Sequence, residues 1–242
     1  MTRPIELKLA SFHPLSQDEI EVIRTGVADL QTHQSGADFR PPDDAARGRR
    51  IVVSGWMGWV AHLLDGRRQI LALALPGELL EGAAVANLHM VYSPLGVTQT
   101  VDASRLISQA ERPDRPYPGL AEAWTRARRA SADRAVRHAL RLGRLSGHER
   151  TANLLVELHE RQLRSGLADE RSMPLRLTQE VLSDILGLSA VHVNRILQQL
   201  RREDLIAYRA GRVVFPDPIR LRRVAGLLEP PAQGALCPTD QT

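Results

Sequence analysis

Between Thr178 and Arg202 the chain carries two short amphipathic segments joined by Gly187-Leu188-Ser189, a pattern that few local architectures accept. Thr178 and Ser189 each precede an apolar-periodic stretch, 179–186 and 190–202, and both are residue types whose side-chain oxygen caps a helix start. Gly187 stands where a helix ends in a left-handed residue. Leu182, Ile185, Val193, Ile196, Leu197 and Leu200 recur at spacings of three and four, so the two helices would bury their apolar faces on each other. That is a helix-turn-helix, whose second helix presents Ala190, Val191, His192, Asn194, Arg195, Gln198 and Gln199 outward. Downstream, Leu205-Ile206-Ala207-Tyr208 and Val213-Val214-Phe215 flank Arg209-Ala210-Gly211-Arg212, which reads as a two-stranded wing with an arginine-flanked tip. Residues 217–228 read as one short closing helix.

The upstream chain has a different texture. Ser16 with Glu19 forms a capping box, and Ile20, Ile23, Val27 and Leu30 follow at helical spacing, which predicts one helix ending near Gln34. Residues 36–50 read as a loop. Strands are expected over 51–53, 55–63, 69–74 and 96–101, punctuated by Asp65-Gly66, Pro76-Gly77 and Ser93-Pro94, a spacing that suggests a small antiparallel barrel or roll. A long helix is predicted over 119–145, with Leu120, Trp124, Ala127, Ser131, Ala135, His138 and Leu142 along one stripe. That stripe packs either on its own roll or on a second copy. Ser146 and Glu149 supply a second capping box, so the chain bends there and starts a new helix.

Charge is unevenly placed. Residues 1–116 carry 12 Lys and Arg against 14 Asp and Glu, and residues 117–242 carry 20 against 14. Lys8 is the only lysine, and arginine suits phosphate because its planar fork donates two hydrogen bonds at once. A general preference for arginine on solvated faces would give the same totals. One cysteine, Cys237, excludes an internal disulfide, a CxxC metal knuckle and a four-thiolate iron–sulfur cluster. No apolar run reaches the roughly 20 residues of a membrane span, and a cytoplasmic location is expected.

The order of elements and two motifs resemble the CRP/FNR superfamily of bacterial transcription regulators. The motifs are Asp65-Gly66-Arg67-Arg68-Gln69-Ile70 with Leu75-Pro76-Gly77-Glu78, and the run from Leu177 to Ser189 continuing through Val193-Asn194-Arg195-Ile196-Leu197. The likeness spans residues 15–227. It implies an α+β fold: an N-terminal antiparallel, cyclic-nucleotide-binding-like β-roll over 1–116, a dimerisation helix over 117–145, a winged helix-turn-helix over 146–228 and a disordered tail over 229–242. It also implies a homodimer on a two-fold symmetric operator in double-stranded DNA, with half-sites one turn apart, and RNA polymerase as a further partner. The dimer contact would then be the stripe from Leu120 to Leu142. Base contacts fall to Ala190, Val191, His192, Asn194, Arg195 and Gln198, with Arg195 foremost because an arginine at this family position reads guanine. Val191 stands where the best-known members carry glutamate, which implies a different operator sequence. Thr178, Gln179, Ser189, Arg201, Arg209 and Arg212 are the candidate phosphate contacts, which contribute affinity without sequence choice.

The resemblance does not extend to cyclic AMP. Gly77-Glu78 is present, but the arginine that family nucleotide binders place after it is missing, since no Arg or Lys occurs between Arg68 and Arg105. A phosphate buried there would have no cation. No cofactor or metal is expected; His62, His89 and Met90 could in principle ligate a haem iron, and structural roles suit them better. Two alternatives stay open: a regulator gated by a nucleotide or haem in a non-standard pocket, and a β-roll enzyme with an accessory DNA-binding domain. Against the enzyme, the chain has no His-x-His with a carboxylate in 50–106, no nucleophile elbow, no P-loop and no dinucleotide fingerprint.

Overall fold

The computed structural model describes residues 1–40, 49–80 and 88–226. Its elements run α1 (Arg3–Ala10), α2 (Gln17–Thr25), β1 (Ala28–His33), β2 (Arg50–Ser54), β3 (Met57–His62), β4 (Arg68–Ala74), β5 (His89–Pro94), β6 (Thr98–Asp102) and α3 (Ser104–Ala110). There follow α4 (Pro118–Arg144), α5 (Gly147–Arg164), β7 (Ser172–Pro174), α6 (Gln179–Leu186), α7 (Ala190–Arg202), β8 (Ala207–Arg209), β9 (Arg212–Val214) and α8 (Pro218–Val224). The expected tail, 229–242, lies outside the described residues.

The Ser16–Glu19 capping box forms as expected, but the helix it starts stops at Thr25 rather than near Gln34. Gly26 donates its N–H to Val22 O at 2.8 Å, and the chain then turns into β1, which pairs with β6. Leu30, expected on the helical stripe, is 49% exposed on that edge strand. The residues before Ser16 are themselves helical, α1, and His89 opens strand β5, which the sequence reading did not include.

Two three-stranded antiparallel sheets make the roll, ordered β1-β6-β2 and β4-β3-β5. In the second sheet Trp59 pairs with Ala72 and Val60 with Ile70, so Leu71 is an extra residue, a bulge that bends β4. Met57, Trp59, Ala61 and Tyr92 face the roll interior with Val52. The opposite face, with Val60, Ile70, Leu73 and Val91, packs into one core with Leu154, Ile185, Leu186, Val193 and Leu197 of the C-terminal half. Cover on both faces explains why these strands read as continuous apolar runs instead of alternating ones. A third core joins Ile5, Ile23, Ile51, Leu106, Leu120 and Trp124. Leu120 and Trp124, expected at a dimer contact, are therefore buried in the chain's own core at 0% and 6% exposure. Glu19 accepts from the Leu120 N–H at 2.9 Å and fixes the start of α4 there.

Charged side chains are buried where the roll meets α5. Lys8 donates to Glu78 Oε1 at 2.7 Å and is only 3% exposed. Burial pushes its ammonium from 10.5 down to about 8, a desolvation that outweighs the pull of Glu78 in the other direction. A folded value below the unfolded one means that protonated Lys8 costs stability at neutral pH, and the cost is relieved as pH rises from about 8 to 10.5. Denaturation at a series of pH values should therefore show the wild type gaining stability relative to Lys8→Met across that window. Parallel curves for the two proteins would mean that Lys8 titrates normally.

Candidate nucleic-acid interface

Local chemistry builds the helix-turn-helix. Thr178 Oγ1 accepts from the Val181 N–H at 3.2 Å to start α6, and Ser189 Oγ accepts from the His192 N–H at 3.2 Å to start α7. Gly187 closes α6 with φ +63°, a left-handed position that a side chain would strain. Val193, Ile196, Leu197 and Leu200 point inward, which leaves Val191, His192, Arg195 and Gln198 exposed on one face, with Ala190 and Asn194 half-exposed beside them. Gln198 donates to Asn194 Oδ1 at 3.4 Å, so these two amides lie along the same side of the helix. The six base-contact candidates thus share a surface. A helix of this kind fits the major groove, roughly 12 Å wide, with its N-terminal residues against base edges.

Thr178, Gln179 and Ser189 are exposed at the two helix starts, where free backbone N–H groups and a positive dipole end favour phosphate. Arg201 is exposed on α7, with its guanidinium 4.4 Å over the Tyr208 ring of β8. Arg209 projects at the wing tip, where Ala210 (φ +48°) and Gly211 (φ +74°) make the two-residue turn. Arg212 is different: its Nε donates to Ser172 Oγ at 2.7 Å and its Nη2 to Asp169 Oδ2 at 3.0 Å and Ser172 O at 3.1 Å. Sequence reasoning missed β7, which completes a sheet ordered β7-β9-β8 and carries this anchor. Three residues are too few for a periodic signal. It also passed over Arg176, which is exposed two positions before the α6 cap.

The elbow between α4 and α5 is tied by Arg150, which donates to Leu142 O at 3.0 Å, Leu145 O at 3.1 Å and, across to α6, Leu186 O at 2.7 Å. Along α4, Ala127, Ser131, His138 and Leu142 are half-buried against the chain itself and Ala135 is exposed. The fully exposed apolar line is instead Ala132, Val136 and Leu140, with Gly143 beyond it. A cavity of about 520 Å³ separates sheet β4-β3-β5 from α4 and α5, lined among others by Trp59, Leu71, Tyr92, Ser131 and His138. Burial and the neighbouring Arg141 hold the His138 imidazole below its ordinary value. His62 and His89 are cross-strand partners with ring centroids 5.4 Å apart, whereas Met90 is buried in the roll. Among the described residues no cluster of three or more His, Cys, Asp or Glu is placed to hold a metal, and no helix is long and apolar enough to cross a membrane.

A family model for the Crp-like helix-turn-helix domain matches residues 149–224. The nitrogen fixation regulation protein FixK of Rhizobium meliloti strain 1021 is 31% identical over 207 residues, which cover 81% of this chain and 89% of that protein. The FixK protein of Bradyrhizobium diazoefficiens is 30% identical over 199 residues, 79% of either chain. Among solved structures, FixK2 from Bradyrhizobium japonicum matches with a TM-score of 0.65 at 27% identity, covering 82% of this chain and 97% of that one. The CRP/FNR-family regulator TTHA1359 from Thermus thermophilus, at 21% identity and a TM-score of 0.55, covers 82% of this chain and 98% of its own and shares the fold. The two FixK relatives and TTHA1359 are named as regulators. The helix-turn-helix, the wing and relatives aligned along most of its length together place this chain in the CRP/FNR superfamily of DNA-binding transcription regulators.

Proposed function

We propose that the chain binds a two-fold symmetric operator as a homodimer, with α7 of each copy in the major groove of one half-site. The observation that carries this reading is the single exposed face holding Val191, His192, Arg195 and Gln198 at the start of a capped helix. Arg195 forks onto the two acceptors of one guanine, Asn194 and Gln198 address adenine, and Val191 offers an apolar surface to a thymine methyl. Thr178, Gln179, Arg201 and Arg209 hold phosphates, joined by Arg176. Arg195→Ala should abolish the preference for that guanine, a loss of about 1–3 kcal/mol per half-site measured by competition between operator variants. An unchanged base preference would remove Arg195 from the readout.

Arg212 acts one step back from the phosphates, since its three hydrogen bonds pin β9 to β7 and to Asp169. Arg212→Ala should speed amide exchange in β7 and β9 while leaving α7 protected. Equal protection in the two proteins, combined with a flatter salt dependence of DNA binding, would make Arg212 a direct phosphate contact instead.

The second copy covers the exposed line Ala132, Val136 and Leu140 of α4; Val136 is 72% and Leu140 57% exposed. These positions are spaced four apart, one face of a helix, and their small neighbours Ala139 and Gly143 permit close approach. Val136→Glu places a like charge from each copy at the two-fold contact. Light scattering should fall from twice the chain mass to about the 26.8 kDa of one chain; a dimer that persists would move the contact elsewhere.

Cyclic AMP is not the signal on this reading. Glu78, the glutamate of the roll motif, already accepts from Lys8 and Arg161 at Oε1 and from Arg161 and the Leu75 N–H at Oε2, which fills a carboxylate's capacity. The lone Cys237 likewise provides no iron–sulfur cluster.

A further inference from the structure

We infer that Glu78 and Arg161 are positioning residues for operator recognition: they lock the winged helix onto the roll at one angle and thereby set the half-site spacing that the dimer accepts. The inference rests on the dimeric reading proposed above.

Charges of alternating sign run through the junction between the two halves. Lys8 of α1 meets Glu78 of the turn after β4 at 2.7 Å. Glu78 binds Arg161 of α5 through both oxygens, at 3.2 Å to Nε and by a closer contact to Nη2. Arg161 Nη1 donates to Glu157 at 2.9 Å, and Glu157 also pairs with Arg141 of α4. Arg141 Nε donates to Asn153 at 3.0 Å, whose own amide reaches Ala225 O at 2.9 Å after α8. Side-chain exposure along this chain of charges is 3%, 5%, 5%, 15% and 2%. Two more bonds fix the same contact, from Arg161 Nη2 to Leu73 O and from Ser165 Oγ to Pro76 O at 2.9 Å.

The lock reaches the recognition helix through α5. Leu154 and Leu155 of α5 share a core with Val193, Ile196 and Leu197 of α7, and His148 at the start of α5 meets Glu203, the α7 C-cap, at 2.8 Å. A rotation of α5 against the roll therefore carries α7 with it. A second, separate attachment joins β4 to α6, where Arg68 meets Asp184 at 2.6 Å and Gln69 donates to Ile185 O at 3.1 Å. Held at two places, the winged helix is fixed in one orientation on its own roll. In a two-fold dimer that orientation fixes the distance between the two α7 helices. Inserting one base pair moves a half-site by about 3.4 Å along the duplex and turns it by roughly a tenth of a revolution, which a rigid dimer does not follow.

The test uses full-length protein and an operator selected by the wild type from random duplexes, then the same operator with one base pair added or removed at its centre. Fluorescence anisotropy should give a wild-type preference for native spacing of at least about 30-fold. Glu78→Gln keeps the shape and removes the charge that Lys8 and Arg161 face. It should weaken native-site binding by about tenfold and shrink the spacing preference below about threefold, with the base preference inside each half-site and the dimer mass unchanged. Arg161→Lys, which keeps the charge and loses the fork, should fall between the two and decides the matter if Glu78→Gln does not fold. Retention of the wild-type spacing preference by a folded, dimeric variant would overturn the inference, as would a rise in native-site affinity, which would make the contact a restraint on binding. A wild type that selects no two-fold operator, or is monomeric, would instead refute the dimeric reading.

Discussion

Glu78 is buried with both carboxylate oxygens occupied, by Lys8 of α1, Arg161 of α5 and the Leu75 N–H of its own turn. Taking such ions out of water costs several kcal/mol each, and the attraction between them returns that only while the geometry is kept. The docking of roll on winged helix is therefore driven by something else, the apolar contact of Val60, Ile70 and Leu73 with Leu154 and Ile185. The charges decide which docking is tolerated. A slipped arrangement that preserves most of the apolar contact but breaks one pair leaves an uncompensated buried charge, at about 3–5 kcal/mol. Against the desolvation of its burial, the surrounding cations, Arg161 foremost, keep Glu78 well below the usual carboxylate range, so its carboxylate stays charged at neutral pH.

What could be read from the residues follows the range over which each signal acts. The boundaries of α6 and α7 were legible because caps and a left-handed glycine act within four residues, and the expected 179–186 and 190–202 match the observed helices. The helix expected to reach Gln34 was over-extended because Val27 and Leu30 keep helical spacing by coincidence, while the pairing of β1 with β6 lies about 70 positions away. The stripe on α4 was visible but its partner was not. Leu120 and Trp124 have the same periodicity whether they meet α2 and α3 or a second copy, and only the folded roll shows that their half of the helix is already covered.

The Pro76-Gly77-Glu78 motif is where the roll meets α1. Gly77 has φ +87°, and a Cβ there would lie 2.5 Å from Pro4 O, so the turn presses α1 directly and brings Lys8 to the carboxylate. A resemblance locates the motif in the roll but is silent on what meets Glu78, because Lys8 and Arg161 stand 70 and 83 positions away. One legible trace existed. A lysine and arginines lying in otherwise apolar helical patterns require carboxylates, and strands with no polar face require a second cover.

Positive charge in the C-terminal half has two uses, and only one concerns DNA. Arg141, Arg150 and Arg161 point inward and satisfy carboxylates or the last carbonyls of α4 and α6, and Arg212 braces the wing. Arg195, Arg201, Arg202 and Arg209 remain exposed along α7 and the wing tip. Charge totals alone overstate the phosphate-binding surface, because arginine is also the side chain best suited to bridging helix ends with several donors at once. On the proposed reading the internal arginines hold the angle at which the external ones are presented, so affinity for phosphate and the geometry of recognition would be carried by different members of one residue type.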